Sequence, residues 1–349
     1  MARIRRVDCS GPGIRRRRRG RSFSYEEPTG EAVTDPEVLA RIRALAIPPA
    51  WKDVWICPIP TGHLQAVGTD AAGRRQYLYH EAWRTRRDQA KFDHMLEFAH
   101  ALPGLRERAA EHLAADGLDR ERVLACATRL LDRGFFRMGT EDYAEQHQTY
   151  GLATIQKRHV RLDGELITFD YVAKSGQRRL QSVLDPPVRE VVAQLKRRRG
   201  GPDLLAYKRG RAWVDIRSDD INDYIKEQTG GDFTAKDFRT WTATVLAAVA
   251  MASSFPQARS RTARARAITR AVKEVALYLG NTPAVCRASY IDPRVFDRYR
   301  SGLTIAGVLD QLGQAGEAGE PAHQGPIEEA VLDLIEEKHG PAPELDLIA

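Results

Sequence analysis

Four residues far apart in the chain have the types needed to break and remake a phosphodiester. Tyr290 closes the run Asn281-Thr282-Pro283-Ala284-Val285-Cys286-Arg287-Ala288-Ser289-Tyr290-Ile291-Asp292-Pro293. Arg137 stands in Phe135-Phe136-Arg137-Met138-Gly139, Lys174 in Tyr171-Val172-Ala173-Lys174-Ser175-Gly176, and Arg239 in Lys236-Asp237-Phe238-Arg239-Thr240-Trp241. Displacement at phosphorus builds negative charge on the non-bridging oxygens and leaves a sugar oxygen that needs a proton. Its catalysis is therefore positioning, charge neutralisation and one general acid. Arginine keeps its charge and donates in a planar fork that fits phosphate oxygens. Lysine, crowded by other cations, can act as the acid. A tyrosine oxygen is both nucleophile and leaving group, so a phosphotyrosyl link keeps the bond energy and resealing needs no ATP.

Taken singly, each residue has an ordinary reading. A tyrosine is usually core, an arginine surface, and a lysine on a turn solvated. Order and local context change that judgement. The set resembles the type IB DNA topoisomerases, in particular the compact poxvirus and bacterial branch, with short local matches from about Trp51 to about Gly302.

The resemblance implies that Tyr290 attacks the phosphate, forms a 3′-phosphotyrosyl link and releases a 5′-hydroxyl. Arg137 and Arg239 then hold the non-bridging oxygens, and Lys174 protonates the 5′ oxygen. The best-known members have histidine where this chain has Asn281. Asparagine donates a hydrogen bond but carries no charge, which leaves Lys174 as the general acid. The family's sheet strand in the DNA major groove corresponds to Arg74–Tyr79. Strand alternation puts Arg75, Tyr77 and Tyr79 on one face, and Gln65 and Arg74 complete the expected DNA-binding set. The expected partner is double-stranded DNA, held by a monomer that clamps the duplex without cofactor or metal. The clamp needs a mobile linker, expected near Arg84 to Gln89.

These groups must be positioned by elements that the pattern outlines. Asp35-Pro36 opens a short helix to Ala44, and Pro48-Pro49 prevents its continuation. Val54–Cys57, His63–Gly68 and Arg74–His80 read as strands around a turn at Thr69–Gly73. From about Glu81 to Arg133 apolar residues recur at helical spacing. Asp163-Gly164 and Ser175-Gly176 mark two turns of a three-strand element, with Lys174 at or beside the second tip. Thr234 and Asp237 resemble a capping pair for a helix to about Ala252 that carries Arg239 in its first turn. A further helix striped from Ala267 to Leu279 ends at Gly280. Asn281 falls in the turn, Thr282-Pro283 start the next helix, and Tyr290 lies near its end.

The expected fold class is α+β: a small antiparallel β-rich domain at 23–88 and a larger, mainly helical catalytic domain at 89–303. Residues 1–22, with Arg15 to Arg19, read as a basic disordered tail able to bind phosphates non-specifically, or as an idle solvated one. Residues 304–349 read as an acidic tail with linker character from Gly313 to Gly325 and a short amphipathic helix. That helix either docks on the body or competes with DNA for the basic surface. Lys196-Arg197-Arg198-Arg199 either track a phosphate backbone or form a solvated helix end.

Composition agrees with a polyanion partner. The 349 residues carry a net charge of +7, yet residues 301–349 hold ten acidic residues and one lysine, so the rest carries +16. Such a distribution fits nucleic acid better than solubility alone. No apolar run has the length of a membrane span, no signal sequence is evident, and a cytosolic protein is expected. Cys9, Cys57, Cys126 and Cys286 have no zinc spacing and read as reduced thiols.

Two rival readings share parts of this pattern. A tyrosine recombinase uses similar chemistry, but usually has histidine three residues before its second arginine, where this chain has Lys236, and a helical N-terminal domain. A non-catalytic basic DNA-binding protein would explain the charge but not the constellation. A metal-dependent nuclease lacks its clustered carboxylates.

Overall fold

The structure is a computed structural model that describes residues 3–312 and 324–337. Its chain divides into two compact units, Met1–Phe92 and Asp93–Ala349.

The first unit is a five-stranded antiparallel sheet with one helix. The strands are β1 (Ile14–Arg19), β2 (Ser22–Glu26), β3 (Lys52–Ile56), β4 (Leu64–Thr69) and β5 (Arg75–Tyr79), in the order β2-β1-β3-β4-β5. Helix α1 (Pro36–Ala44) is capped by Asp35, whose carboxylate accepts from the Glu37 and Val38 amides. Ile14, Val33, Ile42, Val54, Ile56 and Ala66 form the buried core.

The expected disordered head is thus corrected. Residues 14–19 are a strand inside the sheet, anchored by Ile14, which is 1% exposed. Arginine content hid it. Arg16 turns inward, donates to the carbonyls of Ile47, Pro48 and Trp51, and lies over the Phe23 ring. Backbone pairing on both sides and that internal hydrogen bonding outweigh the repulsion among the arginines.

Helix α2 (Glu81–Ala114) includes residues 84–89, so the stretch expected as a linker is helical. The second unit continues with α3 (Arg120–Gly134) and α4 (Glu141–His147). Strands β6 (Val160–Asp163), β7 (Leu166–Ala173) and β8 (Gln177–Leu184) form the three-stranded antiparallel element. After α5 (Pro186–Arg197) comes a hairpin the pattern did not reveal, β9 (Ala206–Arg209) with β10 (Ala212–Asp215). Helices α6 (Ser218–Thr229), α7 (Ala235–Ser254), α8 (Arg261–Leu279), α9 (Pro283–Ser289), α10 (Pro293–Arg300) and α11 (Ala306–Leu312) follow. The last described helix is α12 (Pro326–Glu336).

Helix α7 begins with the expected reciprocal cap. Thr234 accepts from Lys236 N–H, and Asp237 accepts from Thr234 N–H at 2.8 Å. Its Phe238, Trp241, Ala243, Val245 and Ala247 are buried, which makes it the axis of this unit's core. Against it packs α12, with Ile327, Ala330, Val331, Leu334 and Ile335 buried. Glu328 of α12 accepts from Arg106 (2.5 and 3.0 Å) and from the Trp241 indole (2.8 Å), and Arg106 also pairs with Asp132. The amphipathic helix therefore docks as part of the core. The expected linker residues 313–323 and the end of the tail, 338–349, lie outside the described residues.

The basic run at the end of α5 is internal at two of its four positions, with Arg197 and Arg199 exposed. Lys196 donates to the carbonyls of Lys157 and Val160. Arg198, 9% exposed, donates to the Gly200 and Asp203 carbonyls and pairs with Asp215. Neither side chain is left to follow a nucleic-acid backbone.

Candidate active site

The end of α8 organises the site. The helix stops at Gly280, held at φ 63° in the left-handed region that glycine enters without strain, and the Asn281 N–H returns to the Ala276 carbonyl at 2.9 Å. A helix end leaves carbonyls that need donors and carries partial negative charge. Here three arginines supply the donors. Arg179 of β8 donates to the Leu277 and Tyr278 carbonyls. Arg239 of α7 donates to the Leu279 carbonyl at 2.8 Å and to the Phe135 carbonyl at 2.7 Å. Arg137 donates through one nitrogen, Nη2, to the Gly280 carbonyl at 2.6 Å and to Asn281 Oδ1 at 2.5 Å.

Arg137 follows α3 in an extended segment held by backbone pairing, Leu152 N–H to the Arg137 carbonyl and Ala153 N–H to the Met138 carbonyl, both 2.8 Å. That pairing brings Gly139 against Gly151. A Cβ on Gly139 would lie 2.7 Å from the Gly151 backbone, and Gly139 sits at φ 75°. Lys174 lies at the β7–β8 tip, exposed, beside Ser175 at φ 65° and Gly176 at φ 72°. It lines one pocket with Arg137, Arg179, Arg239, Tyr171 and Gln177.

Tyr290 ends α9. Its N–H bonds to the Cys286 carbonyl at 2.9 Å, and its own carbonyl accepts from Thr244 of α7 at 3.3 Å. Immediately after it, Ile291 and Asp292 are fully buried, and Asp292 caps α10. The ring is thereby held half-exposed, with its centroid 5.6 Å from the Arg239 guanidinium carbon. Tyr290 thus stands close enough to interact electrostatically with Arg239.

The arginines of this pocket differ from the carboxylate-paired arginines of the unit. Arg106, Arg122, Arg129, Arg133, Arg198 and Arg294 are each paired with a carboxylate. Arg137, Arg179 and Arg239 donate to backbone carbonyls and one amide oxygen, and the pocket lining contains no Asp or Glu. Burial pushes the Arg239 guanidinium down to about 10, its association with Tyr290 opposes this, and Arg137 adds to the depression. It remains a cation at neutral pH. One buried and two half-buried cations gathered without a counter-charge mark a place for an external anion.

Asn281 adds a directed donor. Arginine only donates, so the amide oxygen must face Arg137 and Nδ2 must face away. That Nδ2 is buried and has no partner. A buried donor left open is costly unless something else fills it.

Other nucleophiles near the pocket are disarmed. Burial pushes the Tyr171 phenol up to about 12, and its hydroxyl donates to Gln181 at 2.7 Å. Burial pushes the Cys286 thiol up to about 11. Among the described residues, no group of three or more His, Cys, Asp or Glu comes together in a way that could hold a metal ion.

The structure thus brings together Arg137, Lys174, Arg239, Asn281 and Tyr290, all anticipated from sequence. It adds Arg179, which the sequence reading missed. The signal was available: Arg179 stands on the strand leaving the Lys174 turn, half-buried between exposed Arg178 and Leu180.

The DNA-contact set expected in the first unit divides. Arg75, Tyr77 and Tyr79 share one face of β5 and are exposed, with the two tyrosine rings stacked at 6.3 Å. Arg74 is exposed and paired with Asp70 in the turn. Gln65 is a correction. It falls where the β4–β5 register shifts, is 4% exposed, donates to the carbonyls of Ile59, Pro60 and Gly62, and accepts from Arg41. Its amide is fully used inside the protein.

Comparisons with known proteins identify the family. The family model described as "Eukaryotic DNA topoisomerase I, catalytic core" matches residues 80–307. The model for "Bacterial DNA topoisomerase IB, N-terminal domain" matches residues 22–70. DNA topoisomerase 1B of Acanthamoeba polyphaga mimivirus is 30% identical over 300 residues, covering 83% of this chain and 88% of that protein. DNA topoisomerase 1 of Daucus carota is 26% identical over 158 residues, covering 44% of this chain and 19% of that protein. A catalytic-core match over most of the chain, a matching N-terminal domain and a relative aligned over most of both chains make this chain a member of the type IB DNA topoisomerases.

Proposed function

We propose that this topoisomerase relaxes supercoiled duplex DNA by single-strand transesterification at Tyr290, with neither ATP nor metal. The Tyr290 oxygen bonds to phosphorus as the bond to the 5′ oxygen breaks. The phenol gives its proton to solvent water, and Lys174 supplies one to the departing 5′ oxygen, which leaves as a hydroxyl. Arg137, Arg239 and the Asn281 amide hold the non-bridging oxygens. The broken strand swivels about the intact one, and the reverse exchange, with Lys174 taking the proton back, reseals it. A single chain acts on the duplex. The observation that carries this reading is the carboxylate-free cluster of cations whose Arg239 lies against the Tyr290 ring, an arrangement suited to the extra negative charge of a displacement at phosphorus.

The test is relaxation of a supercoiled plasmid in EDTA without nucleotide. Wild type is expected to relax it to completion and Tyr290→Phe to leave it untouched, because the substitution removes only the attacking oxygen. Relaxation by Tyr290→Phe at the wild-type rate, or a requirement for divalent metal, would end this reading.

A further inference from the structure

The outer face of the first unit's sheet can be traced strand by strand, because residues paired across a ladder share a face. Tyr77 pairs with Val67, Val67 with Trp55, and Trp55 with Arg15. Arg15 is therefore on the same face as Tyr77, and alternation adds Arg17 and Arg19. The opposite face carries the core pairs Ile14–Ile56, Ile56–Ala66 and Ala66–Leu78. Arg15, Arg17 and Arg19 are exposed and point away from that core.

Between the arginines and the tyrosines the face is roofed by the start of the chain. The Trp55 indole donates to the Gly11 carbonyl at 3.1 Å. Gly13 lies so close to that ring that a Cβ would fall 2.0 Å from the indole nitrogen. Cys9 reaches Arg75, 3.5 Å from Sγ to guanidinium nitrogen. Arg5 is bridged to Gly62, and both Arg5 and Arg6 are exposed. Residues 3–19 are thus a built part of this surface. They precede the segment matched by the family's N-terminal domain, which starts at residue 22.

We propose that Arg15, Arg17 and Arg19 form a docking surface for the phosphate backbone of duplex DNA, extending the Arg75-Tyr77-Tyr79 face beyond the matched family domain. The spacing fits. Alternate strand residues are about 6.7 Å apart, so the three guanidiniums span about 13 Å. One strand of B-DNA presents about four phosphates over that axial length. Glu26, directly opposite Arg15, is bonded to Arg17 at 2.7 Å and offsets one of the three charges. The surface therefore neutralises about two phosphates net. Arg16 and Arg18 have no part in it. Arg16 is tied to the Ile47, Pro48 and Trp51 carbonyls, and Arg18 projects from the other face.

This inference rests on the chain acting on duplex DNA, and the experiment separates the two. The full chain and its variants are titrated against a short fluorescein-labelled duplex by anisotropy, between about 50 and 200 mM KCl. Each phosphate neutralised contributes about 0.9 to the slope of log K against log salt. The triple substitution Arg15→Gln, Arg17→Gln, Arg19→Gln is expected to flatten that slope by about 2 and to weaken binding roughly 60-fold near 100 mM KCl. Arg15→Gln alone should flatten it by about 1, and Arg18→Gln should leave it unchanged. Glu26→Gln, which frees Arg17, should steepen it by about 1, a gain that misfolding cannot mimic. An unaltered slope in the triple variant, or equal flattening by Arg18→Gln and Arg15→Gln, overturns the docking surface while wild type still relaxes plasmid. Wild type that neither binds duplex nor relaxes plasmid overturns the reading beneath it.

Discussion

Replacing Asn281 by alanine isolates one hydrogen bond to the reacting phosphate. In the free protein the Asn281 Nδ2 is buried without a partner, while Oδ1 accepts from Arg137 at 2.5 Å. Arg137 keeps the Gly280 carbonyl when the amide is removed. The free protein therefore loses one hydrogen bond and is relieved of one unsatisfied buried donor, two effects of similar size and opposite sign. Its melting temperature should stay within about 2 °C of wild type. With DNA in place, Nδ2 would donate to an oxygen that gains charge as the displacement proceeds. Hydrogen bonds to charged groups contribute about 1.5–3 kcal/mol, so cleavage should slow by about 10- to 150-fold. Single-turnover cleavage of a defined duplex measures this directly, and duplex affinity measured in parallel should be unchanged. Asn281→His keeps a donor and should restore most of the rate. An alanine variant that cleaves within about twofold of wild type would show that the open amide does not face the phosphate.

Three further substitutions probe the frame around the site. Arg179→Ala frees the Leu277 and Tyr278 carbonyls and loosens the hold of β8, and with it the Lys174 turn, on the end of α8. It should slow cleavage about tenfold or more with little change in duplex affinity, with partial recovery by Arg179→Lys. Gly139→Ala places a Cβ 2.7 Å from the Gly151 backbone at a positive φ, and should cost about 2–4 kcal/mol in a thermal melt and slow cleavage by displacing Arg137. Glu328→Ala leaves Arg106 with Asp132 alone and the Trp241 indole without its acceptor, and should lower stability by about 2–3 kcal/mol, read as a fall of about 5–10 °C in melting temperature.

Much of this site was legible because its elements announce themselves locally. Thr234 and Asp237 cap a helix, Gly280 ends one, and Thr282-Pro283 start the next, so the positions of Arg239, Asn281 and Tyr290 followed from capping chemistry. Lys174 followed from a turn signal. What was hidden depends on contacts between distant segments. Arg179 acts through carbonyls of α8, nearly a hundred residues downstream, and no local pattern reports that. Gln65 looked like a strand residue free to face DNA, and the register shift beside it turned it inward. Arg15 to Arg19 looked too charged to fold, because strand alternation is invisible when every position is the same residue. The pairing that orders them lies with β2 on one side and β3 on the other. Within the run Lys196 to Arg199, a charge pattern does not show that Lys196 and Arg198 are satisfied by carbonyls of the chain itself while Arg197 and Arg199 stay exposed.

The central claim is that Tyr290 becomes covalently joined to a 3′ phosphate. It is tested most directly by quenching a cleavage reaction in EDTA with denaturant, digesting the adduct and locating the nucleotide on the protein by mass spectrometry. The expected result is a nucleotide attached to the Tyr290 peptide through its 3′ phosphate, with a free 5′-hydroxyl on the other DNA end and no adduct from Tyr290→Phe. A nucleotide on any other residue, attachment through a 5′ phosphate, or cleaved DNA with no protein attached would contradict it.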